Sequence, residues 1–311
     1  MRVVGALAVA CVGLGVVASP SRATFPGGNG LLVYEAQQGK HVQLFTIRPQ
    51  GGVAHQLTHF TDSDAVWPSW SPDGSQIAFE RDFRGHAAIY TMNADGSGLR
   101  ALTRTGLHGR PSWSPDGKTI VFSTLVPGHE ALVSLIGADG AGLRTLASMP
   151  LPAKGGCPCL GLNSPTFSPD GRRIAFTWTK AAYVSAIFTI SSSGRGLTRI
   201  TPWKDSVADK IDWDPGGNRI AFSSPEFGKP GVSSNVFTVA ADGSAIHHLT
   251  LTTGGKVNNG FDSWSPDGTK IAFASNRGGT YAIYTMNTDG TDVTRLTRGP
   301  EAHHAAWGRH R

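Results

Sequence analysis

Residues 70–74 read Trp-Ser-Pro-Asp-Gly, and the same five residues return at 113–117 and 264–268. Residues 167–171 read Phe-Ser-Pro-Asp-Gly, and 213–217 read Trp-Asp-Pro-Gly-Gly. From one leading aromatic to the next the spacing is 43, 54, 46 and 51 residues, and Trp264 to Trp307 is 43 again. A recurring period of this size marks a repeat architecture. The pentapeptide has the chemistry of a type I turn closed by a left-handed residue. Proline presets φ at the second position, aspartate bonds a following backbone N–H, and glycine takes the positive φ. The aromatic before it is large, flat and apolar enough to fill a wedge between neighbouring units. The motif therefore reads as scaffold, because each aspartate has a sufficient local role inside its own turn.

An apolar strand follows every turn: Ile77-Ala78-Phe79, Ile120-Val121-Phe122, Ile174-Ala175-Phe176, Ile220-Ala221-Phe222 and Ile271-Ala272-Phe273. A third strand comes next, as in Ala88-Ile89-Tyr90-Thr91-Met92 and Ala282-Ile283-Tyr284-Thr285-Met286. A second tight turn, such as Asp95-Gly96 or Asp289-Gly290, leads into a short fourth strand ending Leu102-Thr103 or Leu296-Thr297. Helical repeats would need apolar residues spaced at three and four. Four short strands per unit instead predict an all-β propeller of four-stranded antiparallel blades. At the N-terminal end, Leu31 to Glu35 matches a second strand with no aromatic strand before it. At the other end, Ala305-Ala306-Trp307 is an aromatic strand with nothing after it. The two fragments make one blade, so the reading is six blades, closed by pairing of the C-terminal strand with the strand at 31–35. Closure removes the exposed sheet edges that would otherwise pair with other chains.

The chain has 311 residues, 40 of them glycine and 19 proline, with 16% charged residues and a formal net charge of +6. Residues 1–23 have the features of an export signal: Arg2, an apolar run from Val3 to Val17, and a Ser21-Arg22-Ala23 cleavage site. That run is shorter than the roughly 20 residues a spanning helix needs. The expected organisation is a signal peptide at 1–23 and a propeller at 24–311, secreted or periplasmic, monomeric, with no membrane span in the mature chain. Without Arg2 and Arg22 the charge is about +4. No basic cluster with interleaved aromatics appears, so nucleic acid is not an expected partner. Export also places Cys157 and Cys159 in an oxidising compartment that favours a disulfide. Whether these two pair with each other is left open, because a ring closed across one residue is strained.

In the order WSPDG, IAF, IYxM, the repeats resemble the TolB-type propeller, a six-bladed fold in which related blades also occur in prolyl-oligopeptidase-like enzymes and oligogalacturonate lyases. The resemblance covers roughly residues 25–311. It departs from TolB itself, which has an α/β domain before its propeller, whereas here the blades begin almost directly after the signal. The resemblance implies an extracytoplasmic propeller of the WD-like repeat kind with a binding role, and it names no partner.

Standard catalytic signatures are missing: there is no Gly-x-Ser-x-Gly elbow, phosphate loop or dinucleotide fingerprint. Asn287 to Asp292 lacks the acidic twelfth residue of a calcium loop and falls where a hairpin turn belongs. In a propeller, the link between one blade's fourth strand and the next blade's first opens beside the central channel. Three and four positions before each leading aromatic, the sequence places Trp67, Arg110, Asn163, Ser164, Asp209, Lys210, Phe261, His303 and His304, together with Val66, Gly109 and Gly260. This ring of cations, aromatics and amides is the expected binding rim for a protein, peptide or glycan of the cell envelope; the bland reading is an ordinary solvated rim. No cofactor is expected, and the balance is against catalysis. The alternative is a metal-dependent polysaccharide lyase-like or other hydrolytic enzyme, with His108 and His304 as ligands at the channel. The long link at 147–164, which holds Cys157 and Cys159, opens on the same face.

Overall fold

The computed structural model describes residues 26–83, 85–151, 161–181, 184–203, 207, 210–224 and 232–310. Strands β1 (Asn29–Gln38), β2 (His41–Ile47) and β3 (His55–Gln56) open the chain. The second unit has β4 (Asp64–Trp70), β5 (Gln76–Phe83), β6 (His86–Asn93) and β7 (Arg100–Ala101). In the third are β8 (Leu107–Trp113), β9 (Thr119–Val126), β10 (Glu130–Gly137) and β11 (Arg144–Pro150). The fourth comprises β12 (Gly161–Phe167), β13 (Arg173–Ala181), β14 (Val184–Ser191) and β15 (Thr198–Arg199). Next come β16 (Ile211–Trp213), β17 (Arg219–Ser224), β18 (Asn235–Ala240) and β19 (His247–His248). The last unit holds β20 (Asn259–Trp264), β21 (Lys270–Ser275), β22 (Ala282–Asn287) and β23 (Thr294–Arg295), and β24 (Ala302–Arg309) ends the fold.

Within each unit the strands pair antiparallel in sequence order, giving an all-β propeller of four-stranded blades. Strand β24 pairs antiparallel with β1, with Trp307 opposite Leu32 and Ala306 opposite Val33, as the fragments at the two ends of the repeat require. The expectation of six separate blades needs correction. Four sheets stand alone with four strands each, while β4–β11 form one eight-stranded sheet. The reason is a tight link after β7. It brings β8 beside β6, so that Ala87 pairs parallel with Leu107 and its N–H reaches the Gly106 carbonyl at 3.4 Å.

The pentapeptide builds the turn its chemistry demands. Ser71 Oγ donates to Asp73 Oδ1 at 2.6 Å and accepts the Gln76 N–H at 2.8 Å, while Gly74, at φ 69°, donates to the Ser71 carbonyl. The same serine–aspartate bond recurs at Ser114–Asp116, Ser168–Asp170 and Ser265–Asp267. In the variant turn, Asp214 does the serine's work and accepts from the Asn218 and Arg219 N–H groups. Burial raises the Asp73 carboxyl, but bonds from Ser71 and Ser75 outweigh it and hold the group below the usual range.

The aromatic that leads each turn is buried: Trp213 and Trp264 are fully enclosed, and Trp70, Trp113, Phe167 and Trp307 nearly so. The Ile-Ala-Phe strands are buried without alternation, because neighbouring units cover both faces of a middle strand. The apolar clusters are shared between successive units. One joins Ile187 and Ile200 to Trp213 and Phe222, the next joins Val236 and Leu249 to Trp264 and Phe273, and another joins Ile283 and Leu296 to Leu32 and Trp307.

Candidate functional site

The inner strands are interrupted at one common place. Ladder register shifts between Val66 and Ser69, between Gly109 and Ser112, and between Asn163 and Thr166. Each shift is a bulge, and the residue three before the aromatic takes a left-handed backbone: φ is 54° at Trp67, 57° at Arg110, 47° at Ser164 and 45° at His304. A bulge re-aims its side chain out of the ladder direction. Here it turns four side chains toward the centre, where Lys210 joins them on the approach to β16. Trp67, Arg110, Ser164, Lys210 and His304 line one cavity with about 100 Å³ open to water-sized molecules. One layer in, the residues just before the aromatics also line it: Ser69, Ser112, Thr166, Asp212, Ser263 and Ala306.

A bulge leaves a backbone N–H without its ladder partner, and an unmet buried donor is costly. Carboxylates from the preceding unit meet two of these groups. The Trp67 N–H donates to Glu35 Oε2 at 2.9 Å, and the Arg110 N–H to Glu80 Oε2 at 3.2 Å. Glu35 and Glu80 hold the same place in their units, directly after Tyr34 and Phe79. His304 Nδ1 lies 2.5 Å from Glu35 Oε1. Its ring lies over Trp67, tilted by 35° with centroids 3.6 Å apart, and the Arg110 guanidinium covers Trp67 at 4.3 Å. Three successive rim positions thus pack imidazole, indole and guanidinium in order. Across the channel, Lys210 Nζ donates to the Ala305 carbonyl, tying the approach to β16 to β24.

Burial moves the titrating groups in different directions according to their partners. Glu80 is pushed up to about 7 by burial, which the Arg110 charge and N–H only partly offset. Asp212 is pushed up to about 6 by burial, against the Lys210 charge and the Trp264 N–H. Burial also raises Glu35, but the His304 contact and the Trp67 N–H outweigh it, so this carboxyl lies below its usual range. His304 is lowered, by burial first and by Lys210 and Arg110 as well, although Glu35 opposes.

Five of the nine expected rim residues therefore meet at the channel: Trp67, Arg110, Ser164, Lys210 and His304. Asn163 is buried away from the cavity, its carbonyl accepting from Thr177 Oγ1. His303 points off the rim onto Tyr281, with ring centroids 4.6 Å apart, as alternation along a strand dictates. Asp209, the Phe261 side chain, Cys157 and Cys159 lie outside the described residues. Trp67, Arg110 and Lys210 are half-buried and His304 is buried, so they are more enclosed than an ordinary solvated rim. The structure does not bring His108 and His304 together as metal ligands. Both His108 nitrogens are engaged, by Thr124 Oγ1 at 2.9 Å and the Thr105 carbonyl at 2.7 Å, and His108 is not on the cavity wall. Among the described residues no three His, Cys, Asp or Glu side chains gather as a metal site. The sequence reading missed Glu35, Glu80 and Asp212. Their signal was a carboxylate where other units carry Ser, Thr or Ala within an apolar strand.

A family model described as the TolB beta propeller domain matches residues 10–153. The Tol-Pal system protein TolB of Francisella tularensis subsp. mediasiatica (strain FSC147) is 26% identical over 269 residues, covering 85% of this chain and 48% of that protein. Its counterpart in subsp. holarctica (strain OSU18) is 27% identical over the same length and shares. The chain spans about half the length of these curated relatives. TolB from Acinetobacter baumannii superposes with a TM-score of 0.74 at 21% identity, over 93% of this chain and 69% of that one. Putative TolB from Agrobacterium tumefaciens gives 0.66 at 20%, over 88% and 91%. An oligogalacturonate lyase in complex with manganese gives 0.57 at 12%, over 89% and 77%. At these identities the solved structures speak for the fold alone.

Proposed function

We propose that this chain, a TolB-type β-propeller, is an extracytoplasmic binding module that engages a protein, peptide or glycan of the cell envelope at its channel mouth. The carrying observation is the convergence of Trp67, Arg110, Ser164, Lys210 and His304 on one cavity from separate units. Two cations beside the His304–Trp67 pair suit an extended segment with acidic groups. The relatives' name, Tol-Pal system protein, favours a protein or peptide over a glycan. We read the ring as six blades, the eight-stranded sheet counting as two whose ladders join only through the Ala87–Leu107 pair. Apolar clusters shared between successive units support that count. Residues 1–23 as an export signal, 24–311 as one propeller, secreted or periplasmic placement and a monomeric state belong to the same proposal. The lyase-like alternative gains no support from His108, whose two ring nitrogens are engaged away from the cavity.

The test is binding to candidate envelope peptides and glycans at two salt concentrations, comparing the protein with an Arg110→Gln, Lys210→Met variant. These substitutions retain much of the packing over Trp67 and beside Ala305, and a melting curve checks folding. Weaker binding with a shallower salt dependence is expected, since two cationic contacts are gone. Unchanged affinity and salt slope would remove this mouth as the binding surface.

A further inference from the structure

Two of the cations lying over aromatic rings, Arg81 and Arg219, have acidic partners. Arg81 sits over Phe60 at 4.1 Å and over Tyr90 at 5.5 Å, with Asp62 3.1 Å away. In the last unit the same kind of arrangement has no acidic partner among the described residues. Arg277, in the turn between β21 and β22, has its guanidinium carbon 5.1 Å from the Phe273 ring and 5.2 Å from Tyr284. Its Nε donates to Ser275 Oγ at 3.1 Å and its Nη2 to Asn259 Oδ1 at 2.9 Å. Asn259 and Ser275 are fully buried, so the guanidinium is held by rigid, neutral acceptors. Burial draws Arg277 below its ordinary value, and only Tyr284 opposes it.

A second guanidinium comes from the neighbouring strand. Arg295 stands opposite Tyr284 in the β22–β23 register, and its Nε is occupied by the Thr297 carbonyl at 2.8 Å. A methyl group on Gly278 would stand 3.0 Å from both Arg295 Nη1 and Tyr284 Oη, so these two donors converge over a backbone that carries no side chain. No hydrogen bond among the described residues occupies the Tyr284 hydroxyl. Of five N–H donors on each guanidinium, Arg277 uses two and Arg295 one, which leaves three and four for a ligand.

We propose that Arg277, Arg295 and the Tyr284 hydroxyl form an oxyanion site on the last unit, taking a group that presents two oxygens, a carboxylate or a phosphoryl group. A guanidinium fixed through one edge offers its other edge as a ready fork for paired oxygens. The site shares no residue with the channel mouth, so the two readings stand or fall separately.

The experiment follows the arginine Nε–H resonances of the full chain during titration with inorganic phosphate and, separately, acetate, at constant ionic strength in chloride. Saturable shifts at Arg277 and Arg295 are expected, and the more effective anion identifies the oxyanion class. Arg295→Gln, at an exposed position, should weaken binding by about tenfold. Tyr284→Phe should weaken it with the ring retained, and Arg277→Lys should lose most of it, because a point charge lacks the fork. The channel variant Arg110→Gln, Lys210→Met should bind the anion unchanged. Absence of saturable shifts with either anion, or equal affinity in the protein and its Arg295→Gln variant, would overturn the proposal.

Discussion

Glu80 follows three fully buried apolar residues and is itself half-buried, and its carboxyl serves the backbone of the next unit through the Arg110 N–H. The position tolerates no bulk nearby: a methyl group on Gly109 would stand 2.3 Å from Glu80 Oε2. Its raised value makes it a source of pH dependence with a definite sign. Below the ordinary carboxyl value of 4.5 it is protonated in both folded and unfolded chains and contributes no slope. Between 4.5 and about 7 the unfolded chain loses the proton while the folded one keeps it, so stability falls as pH rises through that window. The full loss is at most about 3 kcal/mol. Asp212, raised to about 6, adds a loss of the same sign at lower pH. In Glu80→Gln the amide oxygen can still accept from Arg110, so urea unfolding at pH 5 and pH 8 should show a smaller difference than in the unaltered protein. An undiminished difference would place the titration elsewhere.

At the level of elements, neighbouring units interlock through their turns. The second turn of each unit presses its glycine toward the outer strand of the unit before. A methyl group on Gly96 would meet the Leu57 carbonyl oxygen at 2.8 Å, on Gly243 that of Ile200 at 2.5 Å, and on Gly290 that of Leu249 at 2.2 Å. Gly51 approaches Leu296 in the same way at 3.6 Å, across the junction of first and last units. Gly142 also has positive φ, 68°, but faces open space. Gly142→Ala should therefore cost only the strain of a left-handed alanine, about 1–2 kcal/mol. Gly290→Ala, at φ 88°, should cost about 1–3 kcal/mol more, because the neighbouring backbone must also give way. Thermal unfolding of the two variants compares them directly, and equal losses would mean that the units do not bear on one another at this turn.

For the whole molecule, stability depends on closing the ring with β24. Besides its pairing with β1, it carries Trp307 into the cluster shared with Leu32 and Ile283, and His304 onto Glu35. Deleting residues 303–311 removes all three and exposes the edge of β1. The truncated chain should melt well below the full-length protein and associate through that edge. Equal melting temperatures would show that the first unit holds together with three strands.

The sequence by itself determined the strands, turns and the strand that closes the ring. Those features follow from local chemistry repeated in order: a Ser-Pro-Asp-Gly turn is specified by its own four residues, and an Ile-Ala-Phe run by the need to bury both faces. Because the repeat register also counts positions, it placed Trp67, Arg110, Ser164, Lys210 and His304 on a common ring. Only the tertiary structure decided what that ring is made of. The bulge that turns Trp67 inward is visible as a register shift between two strands. The carboxylate that satisfies its N–H comes from Glu35, 32 residues earlier. The contact of His304 with Trp67 joins opposite ends of the chain. The parallel contact of Ala87 with Leu107, which merges two sheets, also depends on a packing angle rather than a motif. A local pattern fixes local geometry, whereas a site at the axis is assembled by contacts between units, and those exist only once the ring has closed.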